Sequence, residues 1–239
     1  MKDIDEAEDT IERDRIIEIV RNQPKQFQAT LYSILKATNQ LENTVVCGDI
    51  GCFVMSFFPP QQCSDLIICM SGGLSAAIGM STKTDQKVIA FIGDSTFLHT
   101  GMAPLAEAAY YNSNVLLFIF ENSWTAMTGH QPVLGLTEKR LSIEKICRAV
   151  GVPWLRIEDS YNPKKLIRTI EEALETKGFK VIIVKRECAL QAHRWRMQQI
   201  RKLTEQGKKV QEITYYIGGC QLCYECARIL SCPAIRRVK

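Results

Sequence analysis

VIAFIGDSTFLHTG (Val88–Gly101) and VLLFIFEN (Val115–Asn122) are the stretches whose reading decides the fold. Each opens with a run that is apolar at every position and then breaks abruptly into Gly-Asp or Glu-Asn. Alternating side chains of a strand point to opposite faces, so a run apolar throughout needs cover on both. Further short apolar runs lie on either side, giving predicted strands at Thr44–Cys47, Leu66–Met70, Val88–Ile92, Val115–Phe120, Val152–Ile157 and Val181–Lys185. Helical spacing predicts helices at Phe27–Asn39, Leu74–Met80, Met102–Tyr111, Ser142–Val150, Pro163–Lys177 and Glu187–Gln206. Strands alternating with amphipathic helices predict an α/β fold, a doubly wound and mainly parallel sheet.

Composition agrees with such a core and narrows the function classes. A 46% hydrophobic and 23% charged chain of 239 residues can bury one α/β core with a small appendage. A net charge of +4 is too small to argue for nucleic acid, and the basic stretch Arg194–Lys209 reads as a solvated helix face. No apolar run approaches the roughly 20 residues that span a bilayer. The acidic N-terminus lacks the basic start and apolar middle of a signal peptide, so the expected location is the cytoplasm. The ten cysteines therefore read as thiols or metal ligands and not as disulfides. Three segments are expected: a charged helical lead-in over 1–24, the main domain over 25–206, and a linker with a ferredoxin-like cysteine segment over 207–239.

In a parallel sheet, ligands bind beyond the carboxyl ends of the strands. Four segments with unusual chemistry follow predicted strands: GDIGC (Gly48–Cys52), SGG (Ser71–Gly73), GDSTFLHTG (Gly93–Gly101) and ENSWTAMTGHQP (Glu121–Pro132). All four read as loops. Gly93 allows a ligand close to the backbone, and the amides after it favour an anion. Asp94 is a hard oxygen ligand of the kind Mg²⁺ shares with phosphate oxygens. Asn122 can add a neutral oxygen and Trp124 its backbone carbonyl.

Gly-Asp after one buried strand and Asn after the next is the thiamine-diphosphate pattern. With TAMTGHQP, ECAL (Glu187–Leu190) and CPAI (Cys232–Ile235), it resembles the C-terminal part of the indolepyruvate ferredoxin oxidoreductase large subunit, among the thiamine-dependent 2-oxoacid:ferredoxin oxidoreductases. The resemblance covers roughly Thr44 to Ile235. It implies Asp94, Asn122 and the Trp124 carbonyl as Mg²⁺ ligands, and Gly93, Ser95 and Thr96 along the diphosphate. It implies Gly48, Ile50, Gly51 and Cys52 on the thiazolium side, with Thr128, Gly129, His130 and Gln131 closing over the cofactor. His99 and His130 are the candidates for touching substrate. The implied reaction is oxidative decarboxylation of a 2-oxoacid, with electrons passing to iron–sulfur clusters and ferredoxin, and the acyl group to coenzyme A.

The tail CQLCYECARILSCPAI carries Cys220, Cys223, Cys226 and Cys232 in a C-x2-C-x2-C-x5-C-P pattern, which points to one 4Fe-4S cluster. A tetrathiolate zinc site is the alternative.

The sequence departs from the resembled family at two places. RNQPKQFQA (Arg21–Ala29) stands where that family has Cys-Pro-Gly-Cys-Pro-His, and Met70-Ser71-Gly72-Gly73 where it has Met-Gly-Ala-Ser. About 40 residues precede the first predicted strand, too few for a pyrimidine-binding half. A complete site therefore needs a partner chain carrying that half, in a hetero-oligomer, or the gene is split or truncated. Two other readings stand beside the leading one: a non-oxidative 2-oxoacid decarboxylase built from two chains, and a non-catalytic cofactor-binding remnant.

Overall fold

The computed structural model describes residues 43–57, 64–134, 141–160 and 162–207. The predicted helix Phe27–Asn39, the lead-in 1–24 and all four cysteines of the tail lie outside the described residues. The described residues divide between two units, one within Gln26–Cys188 and the other beginning at Ala189.

The larger unit is built on six parallel strands. In chain order they are β1 (Thr44–Gly48), β2 (Leu66–Ile67), β3 (Lys87–Gly93), β4 (Val115–Glu121), β7 (Trp154–Glu158) and β8 (Lys180–Lys185). Their order across the sheet is β2-β1-β3-β4-β8-β7, with every neighbouring pair parallel. A separate hairpin pairs β5 (Trp124–Thr125) with β6 (Gln131–Pro132) antiparallel. The helices are α1 (Gly72–Ser81), α2 (Asp94–Thr96), α3 (Met102–Tyr110), α4 (Ile143–Val150) and α5 (Pro163–Glu175). In the second unit, α6 runs Ala189–Glu205. No described helix is long and apolar enough to cross a membrane.

The apolar runs become central strands for the reason their sequence suggests. Val88, Ala90 and Ile92 of β3 join Val115, Leu117 and Ile119 of β4 in one buried cluster with Leu74 of α1 and Leu105 of α3. Ile89 and Phe91 join Leu116, Phe118 and Phe120 in a second cluster with Leu166 and Ile170 of α5. Successive residues thus feed opposite layers, each fully buried side chain contributing roughly 1.5–3 kcal/mol.

Local chemistry sets the helix ends. Ser142 caps α4 by accepting from Lys145 N at 3.3 Å, and Gly151 closes it in the left-handed region at φ 86°. Asn162 caps α5 by accepting from Lys165 N, with Pro163 in the first turn.

Several expectations change. Of the segments read as loops, SGG gives its two glycines to the first turn of α1, and ENSWTAMTGHQP carries the β5–β6 hairpin. The Leu66–Met70 run is strand only over Leu66–Ile67, because this edge strand pairs with just Cys47 and Gly48 before the chain turns at Cys69–Gly72. The GDSTFLHTG segment is helical and not a loop. α2 passes through a π-turn at Phe97–Gly101 directly into α3. Phe97, Leu98 and Gly101 are buried within it, so packing supplies what Gly101 and the β-branched Thr96 and Thr100 withhold in propensity.

Candidate functional site

β1 is followed by β2 on one side of it and by β3 on the other, so the loops leaving β1 and β3 diverge. Such a switch point opens a crevice at the carboxyl ends of the strands. A cavity of about 110 Å³ lies there, bordered by Ile50–Phe53 after β1, Met70 after β2, Gly93–Thr96 after β3, and Asn122 and Trp124–Thr128 after β4.

Asp94 is the organising group. It begins α2, is 3% exposed, and accepts from three backbone amides. Oδ1 takes Ser95 N at 2.8 Å, while Oδ2 takes Asn122 N at 2.9 Å and Ser123 N at 2.5 Å. The carboxylate therefore ties the end of β3 to the end of β4. Burial pushes its pKa up to about 6, against the lowering effect of the Ser123, Asn122 and Ser95 amides; the Glu121 charge adds a smaller upward push. Glu121 itself pairs with Lys185 at 3.3 Å.

Asn122 Oδ1 accepts from Trp124 N at 2.9 Å, which folds the chain back at Ser123, held in the left-handed region at φ 67°. From that turn the β5–β6 hairpin reaches over α2. Thr125 donates to Ser95 Oγ at 2.7 Å, Thr128 donates to Gln131 Oε1 at 2.7 Å, and Gln131 Nε2 returns a bond to Thr128 O at 2.8 Å. On the opposite wall Phe53 stacks on Phe120 with ring centroids 5.2 Å apart.

Most of the residues singled out in the sequence meet at this cavity. Ile50, Gly51, Cys52, Gly93, Asp94, Ser95, Thr96, Asn122, Trp124 and Thr128 border it. Gly48 ends β1, Gly129 lies in the turn of the hairpin and Gln131 opens β6, and none of the three borders the cavity. His99 is exposed in the π-turn, and His130 sits at the hairpin's tip at φ 63°; neither borders the cavity. Phe53, Met70, Thr125 and Met127 also border it and were not singled out. Apolar residues flanking each polar motif were the available signal. Burial raises the Cys52 thiol's pKa, with a smaller contribution from Cys188.

The donor set suits a hard cation bound together with phosphate. Asp94 offers one buried carboxylate, Asn122 an amide oxygen and Trp124 a carbonyl, a set that leaves several positions for phosphate oxygens and water. Among the described residues no group of three His, Cys, Asp or Glu side chains could hold a metal unaided. Gly93–Thr96 places helix-opening amides on the same cavity, the arrangement that favours a phosphate.

A parallel α/β domain with a buried Asp at one strand end and an Asn at the next defines a cofactor-binding domain for a phosphate-bearing group. More particularly, the chain belongs to the thiamine pyrophosphate enzyme family, whose C-terminal TPP binding domain matches residues 49–184. It is 34% identical over 214 residues to the indolepyruvate oxidoreductase subunit IorA of Archaeoglobus fulgidus, covering 87% of this chain and 33% of that protein. Against the same-named subunit of Pyrococcus horikoshii it is 36% identical over 226 residues, covering 86% and 34%. The chain thus spans about a third of the length of the curated relatives it matches. The fold is shared with a 2-oxoglutarate:ferredoxin oxidoreductase of Magnetococcus marinus, solved with 2-oxoglutarate, coenzyme A and succinyl-CoA bound. That likeness has a TM-score of 0.61 at 17% identity, over 69% of this chain and 62% of that one.

Proposed function

We propose that this chain is the thiamine-diphosphate-binding part of a 2-oxoacid:ferredoxin oxidoreductase acting on aryl pyruvates such as indolepyruvate. The observation that carries the reading is the buried Asp94 carboxylate, joined to Asn122 and bordering the same cavity as Trp124. In it Mg²⁺ is held by Asp94 and Asn122 side-chain oxygens and the Trp124 carbonyl. Gly93, Ser95 and Thr96 lie along the diphosphate. When bound, the cofactor supplies the nucleophilic carbon that makes loss of CO₂ from a 2-oxoacid feasible.

The chain's own residues bind, orient and exclude water. Ile50, Phe53 and Met70 give the cavity an apolar side suited to the ring portion. Thr125 and the Thr128–Gln131 pair hold the hairpin across the polar side. His99 and His130 are assigned to the substrate side of the complete assembly. A volume of about 110 Å³ is well below the roughly 300–1,000 Å³ of sites that enclose a whole small molecule. That supports a second chain, carrying the pyrimidine-binding half, as the surface that completes the site. The remaining partners in this reading are coenzyme A and ferredoxin, with Cys220, Cys223, Cys226 and Cys232 holding one 4Fe-4S cluster.

The test is an anaerobic preparation of the chain with its partner, mixed with indolepyruvate, coenzyme A and an oxidised viologen dye. Dye reduction is expected; aldehyde formed without dye reduction would overturn the oxidoreductase reading. Asp94→Ala should abolish Mg²⁺-dependent binding of thiamine diphosphate, and unchanged affinity would overturn the site. Iron and acid-labile sulfide assays decide the tail, zinc without sulfide counting against the cluster.

A further inference from the structure

The GDIGC segment contains a carboxylate that the cofactor reading does not use. Asp49 is 0% exposed and does not border the cavity, yet it stands between the two loops that supply its apolar side. Asp49 Oδ1 accepts from Ile50 N at 2.7 Å and from Ser71 N at 2.9 Å. The first amide belongs to a cavity-lining residue, and the second lies in the peptide that follows another, Met70.

We propose that Asp49 is a positioning residue, one carboxylate oxygen fixing the Ile50 and Met70 walls against each other so that the ring portion of the cofactor fits between them. The proposal rests on the thiamine-diphosphate reading and adds to it a residue that never touches the ligand.

Three further observations show that the Met70 side needs such a tie. Ser71 holds φ 63° with no glycine to make that conformation cheap, and it serves as the N-cap of α1 without a side-chain cap bond. Its backbone N–H is satisfied by Asp49 alone among the bonds seen, and its Oγ lies 2.7 Å from Thr100 Oγ1 in the π-turn. Asp49 therefore links the loops after β1 and β2 to the helix that begins at Asp94. The two loops also touch backbone to backbone. A Cβ on Gly73 would lie 2.2 Å from Gly48 O, so only glycine lets α1 start this close to the end of β1.

The other oxygen, Oδ2, is buried with no hydrogen-bond partner. Burial raises the Asp49 pKa to about 6, against the lowering effect of the Ile50 and Ser71 amides. A brace needs only the accepting oxygen, which an asparagine at this position retains. An alanine leaves both amides without it, a loss that buried donors pay for by moving toward other acceptors.

The experiment compares two probes on the full chain by titration calorimetry, thiamine diphosphate with Mg²⁺ and inorganic diphosphate with Mg²⁺. Asp49→Ala is expected to weaken thiamine diphosphate at least tenfold while leaving inorganic diphosphate within twofold, because Asp94, Asn122 and the α2 amides are untouched. Asp49→Asn is expected to restore the thiamine diphosphate affinity to within threefold of the parent chain. Equal loss of both probes in Asp49→Ala, or no loss of either, overturns the proposal. So does an Asp49→Asn variant as weak as Asp49→Ala. Where Asp49→Ala fails to fold, Asp49→Asn decides alone, a tenfold shift in the ratio of the two affinities counting against it. Failure of the parent chain to bind either probe, both alone and with the chain carrying the pyrimidine-binding half present, would instead overturn the cofactor reading, and this proposal with it.

Discussion

Lowering the pH from 7 to 5 should stabilise the ligand-free chain, the reverse of ordinary acid denaturation. Asp49 and Asp94 are both buried carboxyls raised from 3.8 to about 6. A folded-state pKa above the unfolded value means that the folded chain binds more protons between about pH 4 and 6. The stabilisation is thus fully present below pH 4 and is lost as pH rises through 6. Integrated from pH 7 to pH 5, each group contributes about 1.3 kcal/mol, and the pair about 2–3 kcal/mol. For a domain of this size that corresponds to roughly 5–10 °C in midpoint. The assay is denaturant unfolding at pH 5, 6 and 7 on the parent chain and on Asp94→Asn, whose amide cannot titrate. The variant should lose about half of the pH-dependent gain, whatever its baseline stability. Mg²⁺ with thiamine diphosphate should stabilise more at pH 7 than at pH 5, because coordination needs the ionised Asp94. A parent chain whose stability changes with pH as the variant's does would refute the argument that Asp94 is an unusually costly charge.

Phe118→Ala empties a fully buried position in the layer shared by β4 and α5 and should cost about 3–5 kcal/mol, read from the denaturant midpoint at unchanged slope. Gly73→Ala drives a Cβ into the Gly48 carbonyl; it should destabilise by about 1–3 kcal/mol and weaken thiamine diphosphate binding, both measurable on one preparation. Thr125→Val removes the hairpin's bond to Ser95 at a cost of about 1 kcal/mol, and should lower cofactor affinity severalfold in the same titrations. Lys180, buried and lowered to about 8 by desolvation, has a folded pKa below its unfolded one. Stability should therefore rise with pH between 8 and 10, and Lys180→Met should abolish that rise.

The central strands were legible because Val88–Ile92 and Val115–Phe120 are apolar at every position, a pattern that only two-sided burial explains. Polar residues directly after such strands had to lie on one edge of a parallel sheet, so Asp94 and Asn122 could be paired from sequence. The helical nature of Asp94–Gly101 was hidden, because Thr96, Thr100 and Gly101, with Gly93 just before them, spell a loop locally. What makes it helical is tertiary, namely Phe97 and Leu98 packed among residues of β3, β4 and α3. Met70 was hidden by a different cause. Its apolar neighbours extend a strand on paper, yet β2 has only two residues of β1 to pair with.

Asp49 shows where reading by motif stops. Next to a glycine it looks like one more turn residue, and nothing within five positions reveals that its partner is the amide of Ser71, 22 residues away. The residues that would touch the cofactor announce themselves by chemistry, since a metal and a phosphate demand particular atoms. Those that hold the walls apart announce themselves only by contact across the fold. Substitutions at Asp94 and at Asp49 should therefore fail differently, the first by losing the metal and diphosphate, the second by losing the fit of the ring alone.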